Sequence, residues 1–240
     1  MISVRNVSKI WSSKGTKLAA LKGITFDVPA GQFVSILGPS GCGKSTLLRI
    51  IAGLVAQSSG SAKIGSKKSS AVGMIFQKPV LLPWKTVYEN VALPLKLKKE
   101  DCRLQVNKIL DVVGLSRFRD YFPSELSGGM QQRAAIARAL VLNPEYLLMD
   151  EPFSALDEIS RKKMNIYLKD LCGRIGITVL FVTHSIEEAV FLSDRVIVLS
   201  KRPGCVVFEK EVMFKIRRDE DLFFTEEFRG YARCLRESLS

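Results

Sequence analysis

Short runs of apolar and β-branched residues alternate along the chain with segments whose apolar positions recur with the period of a helix. The apolar runs are typical of buried strands, and they predict strands at 33–37, 71–76, 146–149, 178–182 and 195–199. Helical periodicity between several of these runs predicts helices at about 43–53, 128–142, 158–174 and 185–193. Strands that alternate with helices predict an α/β fold around a mostly parallel sheet.

Two regions depart from this alternation. Residues 86–122 show helical periodicity without a strong strand, so we expect a helical subdomain, about 86–142, inserted in the α/β core. The segments 2–11 and 24–28 alternate apolar and polar residues, which predicts an antiparallel β flap beside the core.

The last part of the sequence, about 205–240, is expected to form a C-terminal extension. Its apolar positions predict a terminal helix with one packed face, made by Leu222, Phe223, Phe228, Tyr231 and Leu235. The sequence shows no internal repeat and no low-complexity linker. We therefore expect residues 1–240 to form a single domain.

The chain is basic, with 36 Lys and Arg against 24 Asp and Glu, and its net charge is +12. Such a surplus suits phosphate ligands, nucleic acid or an anionic membrane surface. The basic clusters are dispersed, at 96–99, 161–163 and 217–218, so ordinary solvated lysines and proximity to a membrane remain equal alternatives. No stretch interleaves aromatic and basic residues, so no nucleic-acid partner is expected.

Cysteine usage and hydropathy indicate a cytosolic protein. The five cysteines are scattered, without CxxC or metal-ligand spacing, as is typical of reduced thiols. The N-terminal residues lack the apolar segment of a signal peptide. The apolar runs are far shorter than the ~20 residues that span a bilayer, so we do not expect the chain to cross a membrane by itself.

The stretch GPSGCGKST, 38–46, fits the phosphate-binding pattern G-x-x-x-x-G-K-[ST] between a predicted strand and a predicted helix. Its glycines allow the backbone to wrap around phosphates, Lys44 adds positive charge toward the β/γ end, and the Ser45 hydroxyl can bind Mg²⁺. Cys42 occupies a free position of the pattern and receives no chemistry of its own. The predicted nucleotide-binding residues are Gly38, Pro39, Ser40, Gly41, Cys42, Gly43, Lys44, Ser45 and Thr46.

A hydrophobic strand ends in two carboxylates in YLLMDEP, 146–152. Asp150, at the strand end, suits the Mg²⁺ shell, and Glu151 suits polarisation of an attacking water. Acidic pairs at strand ends can be merely structural. A second carboxylate directly after the first nevertheless favours hydrolysis over transfer of the phosphoryl group to another acceptor.

A second glycine-rich turn precedes a helix in SELSGGMQQRAAIARAL, 124–140. Free N–H groups and the helix dipole make such a turn a second potential anion site. One nucleotide does not require two such sites.

These motifs resemble those of the ATP-binding-cassette ATPases, in that family's order through nearly the whole chain. The resemblance implies that Gln77 contacts metal and water and senses a membrane partner. It implies that His184, the chain's single histidine, is the switch residue that contacts the γ-phosphate. It also implies that Trp11 stacks on adenine. The alternative is that Trp11 is an exposed tryptophan that packs on the flap. The catalytic residues would be Glu151, His184 and Lys44.

The same resemblance explains the second anion site. In that family two cassettes face head to tail, and ATP on one phosphate loop is covered by the signature of the other copy. LSGGM would supply Ser127, Gly128, Gly129 and Met130 in trans, although Met130 stands where the family usually has glutamine. Asp157, in the loop 154–157, would lie at the dimer interface. A homodimer is the simplest arrangement, because it gives two equivalent sites.

Three functions remain open at this point: a transporter subunit, a soluble cassette factor, and a phosphate-loop kinase. A kinase has no use for LSGG, and a soluble factor usually carries two cassettes or a coiled-coil insertion. A separate-chain exporter is a further alternative. The segments FQKPVLLPWKTVYENVALPL and THSIEEAVFLSDRVIVLSKRPG resemble nitrate/sulfonate/taurine importers.

The importer resemblance implies several partners. They are permease subunits, contacted through Gln77 and the 81–95 surface, and indirectly a solute-binding protein. The location implied is the cytoplasmic face of the membrane. The tail after RPG lacks the proline- and arginine-rich sequence usual in that group. The resemblance also implies that the transported solute does not touch this subunit.

Overall fold

The computed structural model describes residues 1–13, 16–65 and 71–239. By its internal contacts the chain divides into two compact units, Met1–Lys67 with Asn165–Ser240, and Lys68–Met164. The described strands are β1 Ile2–Ser13, β2 Thr16–Val28, β3 Phe33–Leu37, β4 Ser59–Ile64, β5 Val72–Ile75, β6 Tyr146–Asp150, β7 Thr178–Thr183, β8 Arg195–Leu199 and β9 Val206–Glu211. The α-helices are α1 Lys44–Ile51, α2 Val87–Leu97, α3 Arg103–Val112, α4 Gly128–Leu140, α5 Glu158–Ile175, α6 Ile186–Leu192 and α7 Glu226–Ser238.

The first unit contains two sheets. Strand β3 is buried at every position, and it pairs in parallel with β7 on one side and β8 on the other. Strand β9 adds antiparallel to β8 and alternates half-buried and exposed residues. Strands β2, β1 and β4 form the second sheet, which is the antiparallel flap.

The second unit contains the parallel pair β5 and β6 together with helices α2, α3 and α4. Helix α2 begins with a capping box, in which Thr86 and Glu89 each accept a hydrogen bond from the other's backbone N–H. Such a box satisfies two of the backbone donors that a helix start leaves free. The helices fall in the region predicted as helical.

The expected α/β architecture is confirmed, with all five predicted strands present. The hydrophobic pattern did not reveal β4, whose residues SGSAKI are small and half-exposed, or β9, which has one polar face. The flap strands are also longer than predicted, and Ser240 lies outside the described residues.

The predicted terminal helix is interrupted. Residues Glu220–Phe224 form a 3-10 turn, and Thr225 then takes an extended backbone conformation and caps α7 by accepting a hydrogen bond from the Phe228 N–H. Of the predicted face, Leu222, Phe228 and Leu235 are buried. In the described ranges no helix combines the length and the apolar character needed to span a bilayer.

Candidate active site

The predicted phosphate loop joins β3 to α1 in the first unit. Gly41 and Gly43 have φ values of 77° and 109°, a conformation that side-chain-bearing residues rarely adopt. A Cβ on Gly43 would lie 2.7 Å from Leu21 Cδ2 and 2.8 Å from the Ala20 carbonyl oxygen. This backbone path therefore requires glycine at position 43.

Lys44 is 4% exposed, and its ammonium group lies inside the loop. Its Nζ donates hydrogen bonds to the carbonyl oxygens of Gly38 (2.8 Å) and Pro39 (3.0 Å). The first turn of α1 contains no acidic residue, so the helix dipole and Lys44 together make this end of the helix positive. Ser45 and Thr46 lie half-buried in that turn.

The outer side of the loop is packed against the chain. Cys42 is 1% exposed, and a Cβ on Gly38 would lie 3.0 Å from its Sγ. The exposed Arg202 donates hydrogen bonds from Nε (3.0 Å) and Nη2 (2.8 Å) to the Gly41 carbonyl oxygen. Sequence reasoning noted the RPG motif but gave it no role in the site.

His184 follows β7 directly and is exposed at the start of α6. Ser185 caps this helix by accepting a hydrogen bond from the Glu188 N–H, and the Thr183 hydroxyl donates one to the Glu188 carboxylate. Leu37 and Thr183 are register partners in the parallel sheet, so the phosphate loop and His184 leave the sheet at the same edge. Ligands of open α/β sheets bind at this carboxyl edge of the strands.

Trp11 lies on β1 of the flap and is 42% exposed. The Lys9 ammonium group lies 4.3 Å from the centroid of its ring, within cation–π distance. The indole is thus half-accessible and held by a neighbouring cation.

The two carboxylates lie at the end of β6 in the second unit. Asp150 is 4% exposed, and Glu151 has a φ of 43°, a left-handed backbone rare for glutamate. Strain of this kind is concentrated at functional sites in proteins.

A chain of hydrogen bonds joins Gln77 to this turn. Gln77 Nε2 donates to Ser154 Oγ (3.2 Å), and the Ser154 hydroxyl donates to the Glu151 carbonyl oxygen (3.0 Å). The Gln77 side-chain oxygen takes no part in that bond. Ile75 and Met149 are register partners, so Gln77 and the carboxylate pair follow neighbouring strands at one edge. Ser154 was not among the predicted site residues, although it lies in the loop 154–157 that contains Asp157.

The signature turn begins α4. Ser127 is the N-cap, and its Oγ accepts a hydrogen bond from the Met130 N–H at 3.3 Å, which leaves the hydroxyl proton available to a ligand. Gly128 and Gly129 both have ordinary helical backbone conformations. A Cβ on Gly129 would meet nothing within 4 Å, and one on Gly128 would only touch Leu156 at 3.4 Å.

Asp157 is exposed, and its carboxylate accepts a hydrogen bond from the Ser160 N–H at 2.9 Å. That bond and the Ser160 hydroxyl hold the pKa of Asp157 below its usual value. Asp157 is therefore ionised at neutral pH in a turn fixed by its own chain.

Comparison with known proteins identifies the family. The profile described as "ABC transporter" matches residues 21–154. The taurine import ATP-binding protein of Rhizobium johnstonii is 45% identical over 91% of this chain and 86% of its own. The nitrate import ATP-binding protein of Synechocystis sp. is 42% identical, with 92% and 85% covered. The aliphatic sulfonates import ATP-binding protein of Bacillus cereus is 41% identical, with 92% and 91% covered.

A solved structure of a related cassette gives the same result. The dimeric post-hydrolysis state of the cassette MJ0796, bound to ADP and Pi, superposes with a TM-score of 0.77 at 35% identity. It covers 89% of this chain and 100% of the other. The chain therefore belongs to the ABC transporter family and is the ATP-hydrolysing subunit of such a transporter.

Proposed function

We propose that two copies of this chain bind two Mg·ATP, close as a head-to-tail sandwich, and drive uptake of a small solute of the nitrate, sulfonate or taurine class. The observation that carries the two-copy arrangement is the signature turn. Gly128 and Gly129 are required neither by their backbone conformation nor by contacts within the described chain. Glycine costs about 1 kcal/mol in a helix relative to alanine, so two at a helix start fit a surface that an external group approaches closely.

The external group in this proposal is the γ-phosphate held by the phosphate loop of the other copy. Backbone N–H groups at the start of α4, its dipole and the Ser127 hydroxyl proton would all face that anion. Met130 would contribute its backbone, and Asp157 would lie beside the same interface. The dimeric state of the related cassette MJ0796 supports this arrangement.

Within each site the roles follow from the chemistry of the side chains. The backbone of residues 38–46 would cradle the phosphates, and Lys44 would exchange its loop carbonyls for phosphate oxygens. Glu151 would polarise the attacking water, and His184 would contact the γ-phosphate. Trp11 would stack on adenine, because a half-exposed indole offers its face to a base.

The residues proposed to hold magnesium carry suitable oxygen donors. Ser45, Asp150 and Gln77 would hold it through hydroxyl, carboxylate and amide oxygens, which are the ligands that Mg²⁺ prefers. No group of three or more His, Cys, Asp or Glu that could cage a metal occurs in the described ranges. A metal carried by phosphates needs only one or two protein oxygens, so the donor set is sufficient. When bound, the ion would neutralise charge on the phosphates.

A rigid apolar surface on the second unit supports a permease partner. Val80 and Trp84 are 58% and 70% exposed in the segment that follows Gln77. Asn90, fully buried on α2, accepts a hydrogen bond from the Leu82 N–H and donates to the carbonyl oxygens of Leu82, Lys85 and Thr86. Exposed aromatic and apolar side chains on a fixed loop are typical of protein interfaces. We assign the 81–95 surface and the Gln77 loop to coupling with the permease.

The remaining assignments follow from the relatives. Their names support import of a small solute. We also propose that the chain works at the cytoplasmic face of the membrane and indirectly with a solute-binding protein. We assign residues 1–240 to a single cassette, with the helical subdomain at about 86–142 and an extension at about 205–240.

The Glu151→Gln variant tests the sandwich. It retains shape and hydrogen bonding but cannot accept a proton, so ATP should trap the closed dimer. On a sizing column with Mg·ATP we expect a dimer with little turnover, and a monomer without nucleotide. A monomer under both conditions would contradict the two-copy site.

A further inference from the structure

The RPG segment that follows β8 packs against the outside of the phosphate loop. The guanidinium of Arg202 reaches the Gly41 carbonyl oxygen through two donors, Nε at 3.0 Å and Nη2 at 2.8 Å. A forked guanidinium on one oxygen fixes both the position and the direction of that carbonyl better than a single ammonium contact could.

Gly204 contacts the next peptide of the loop. Its N–H donates to the Ala20 carbonyl oxygen (2.9 Å), and its own carbonyl accepts from the Lys22 N–H (3.0 Å). These bonds join Gly204 to β2, and its backbone also lies close to the loop, because a Cβ on Gly204 would lie 2.4 Å from the Cys42 carbonyl oxygen. Residues 202–204 therefore support two consecutive carbonyls, those of Gly41 and Cys42.

The position of the Gly41 carbonyl determines the direction of the Cys42 N–H. The Gly41 carbonyl and the Cys42 N–H belong to one planar trans peptide, so fixing one aims the other in the opposite direction. Glycine by itself does not fix the orientation, because its backbone visits positive and negative φ with similar ease. The Cys42 N–H bonds to the Pro39 carbonyl at 3.4 Å, a long contact that restrains the peptide weakly.

The contact also affects how strongly the Gly41–Cys42 peptide can donate a hydrogen bond. A guanidinium on the Gly41 oxygen polarises the peptide, which makes its N–H a stronger donor. Arg202 is exposed, so its loss should change the stability of the fold little.

We propose that Arg202 is a positioning residue for ATP, which orients the Gly41–Cys42 peptide of the phosphate loop without contacting the nucleotide. The inference rests on the proposed role of residues 38–46 in phosphate binding. Gly204 supports the same loop by allowing close approach.

The test measures the affinity of the purified full chain for a fluorescent ATP analogue, displaced by ATP and by ADP. Arg202→Ala should weaken both nucleotides about tenfold, the size expected for losing one charge-assisted hydrogen bond. The KM for ATP should rise in parallel, with kcat at saturation changed less than about twofold and the melting temperature of the free protein within about 2 °C. Arg202→Lys, which restores the charge and one donor, should recover part of the affinity.

Two controls separate the possible outcomes. Lys201→Ala removes an equal charge from the exposed neighbouring position and should leave both affinities unchanged. Lys44→Ala tests the phosphate loop itself: if it retained wild-type affinity, the proposed function of the loop would be wrong. If Lys44→Ala lost binding while Arg202→Ala did not, only the positioning role would be overturned. The positioning role would also be overturned if Lys201→Ala lost as much nucleotide affinity as Arg202→Ala, or if Arg202→Ala lowered kcat without changing the affinity.

Discussion

The phosphate loop and the signature turn are both glycine-rich segments that begin a helix, yet their glycines serve different purposes. In the phosphate loop, Gly41 and Gly43 adopt left-handed backbones, and a Cβ on Gly43 would collide with Leu21 and Ala20. In the signature turn, Gly128 and Gly129 are ordinary helical residues, and beyond Gly129 there is open space.

This difference separates a site built by the chain from a surface kept free for another molecule. The phosphate loop is supported on its outer side by Arg202 and Gly204 and on its inner side by Lys44. The signature turn forms its own cap through Ser127, a Cβ on Gly128 would make only an ordinary contact with Leu156, and one on Gly129 would meet nothing within 4 Å. We therefore expect alanine at Gly41 or Gly43 to impair ATP binding by distorting the loop, and alanine at Gly128 or Gly129 to impair assembly of the dimer.

The largest effect is expected for Gly43→Ala. The new Cβ would lie 2.7 to 2.8 Å from its neighbours at a φ of 109°, so the loop must shift, at a cost of about 2–4 kcal/mol. Titration with a fluorescent ATP analogue should show affinity reduced at least about a hundredfold. Gly53→Ala is the matched control, because Gly53 also has a positive φ (74°) but open space around its Cβ. Gly53→Ala should lower stability and leave ATP binding unchanged. If it lost as much ATP affinity as Gly43→Ala, backbone strain at a positive φ would by itself explain the result.

Ser127→Arg should abolish hydrolysis while sparing ATP binding. The arginine would fill the surface that meets the second nucleotide, and kcat should fall about a hundredfold or more while the Kd for ATP changes less than about twofold. Loss of the helix cap should also lower the free energy of unfolding by about 1 kcal/mol. Ser124→Arg places the same charge at an exposed residue just before the turn and should hydrolyse ATP normally. If ATP binding vanished in Ser127→Arg, the assignment of the signature to another copy would be wrong.

Gly129→Ala should raise stability and weaken assembly. A helical glycine with free space around its Cβ gains about 0.5–1 kcal/mol when it becomes alanine, so the melting temperature should rise by about 2 °C. In the Glu151→Gln background, the ATP concentration needed for dimerisation should increase. Gly230→Ala on α7, also with nothing within 4 Å, should give a similar gain without that effect. If Gly129→Ala dimerised at the same ATP concentration as the Glu151→Gln parent, the signature turn would not be a surface kept free for another molecule.

The smallest effect is expected for Met130→Gln. The contact of residue 130 with Ser127 is made by its backbone N–H, which any residue except proline supplies. Glutamine at this position can complete a capping box with Ser127, so the free energy of unfolding should rise by about 0.3 kcal/mol. The ATPase rate should stay within about twofold of wild type. A large increase would mean that methionine weakens this cassette.

The sequence predicted the motifs better than the contacts between distant residues. Runs such as FVSIL at 33–37 have a strand pattern so continuous that β3 matches the prediction at both ends. Strand β4 and the break at Thr225 escaped because their signals are local and weak: small polar residues in one, a capping threonine in the other.

Long-range contacts left no periodic signal. Arg202 meets Gly41 across 161 positions, and Gln77 meets Ser154 across 77. Neither pairing affects hydrophobic periodicity or turn composition, which are the features on which prediction from a sequence depends. The positive φ of Glu151 was equally invisible, because glutamate rarely adopts that conformation.

Mixing two damaged chains tests directly whether one copy completes the nucleotide site of the other. In a Glu151→Gln background, a Lys44→Ala chain has no working phosphate loop, and a Ser127→Arg chain has no working signature. Each alone should fail to trap ATP, but a mixed dimer contains one composite site with both intact halves, so ATP should be retained. A chain carrying both substitutions, mixed with the Glu151→Gln parent, has no intact composite site in its mixed dimers and should reduce retention. If the Lys44→Ala and Ser127→Arg mixture trapped no ATP while the parent did, the claim that one copy completes the site of the other would be contradicted.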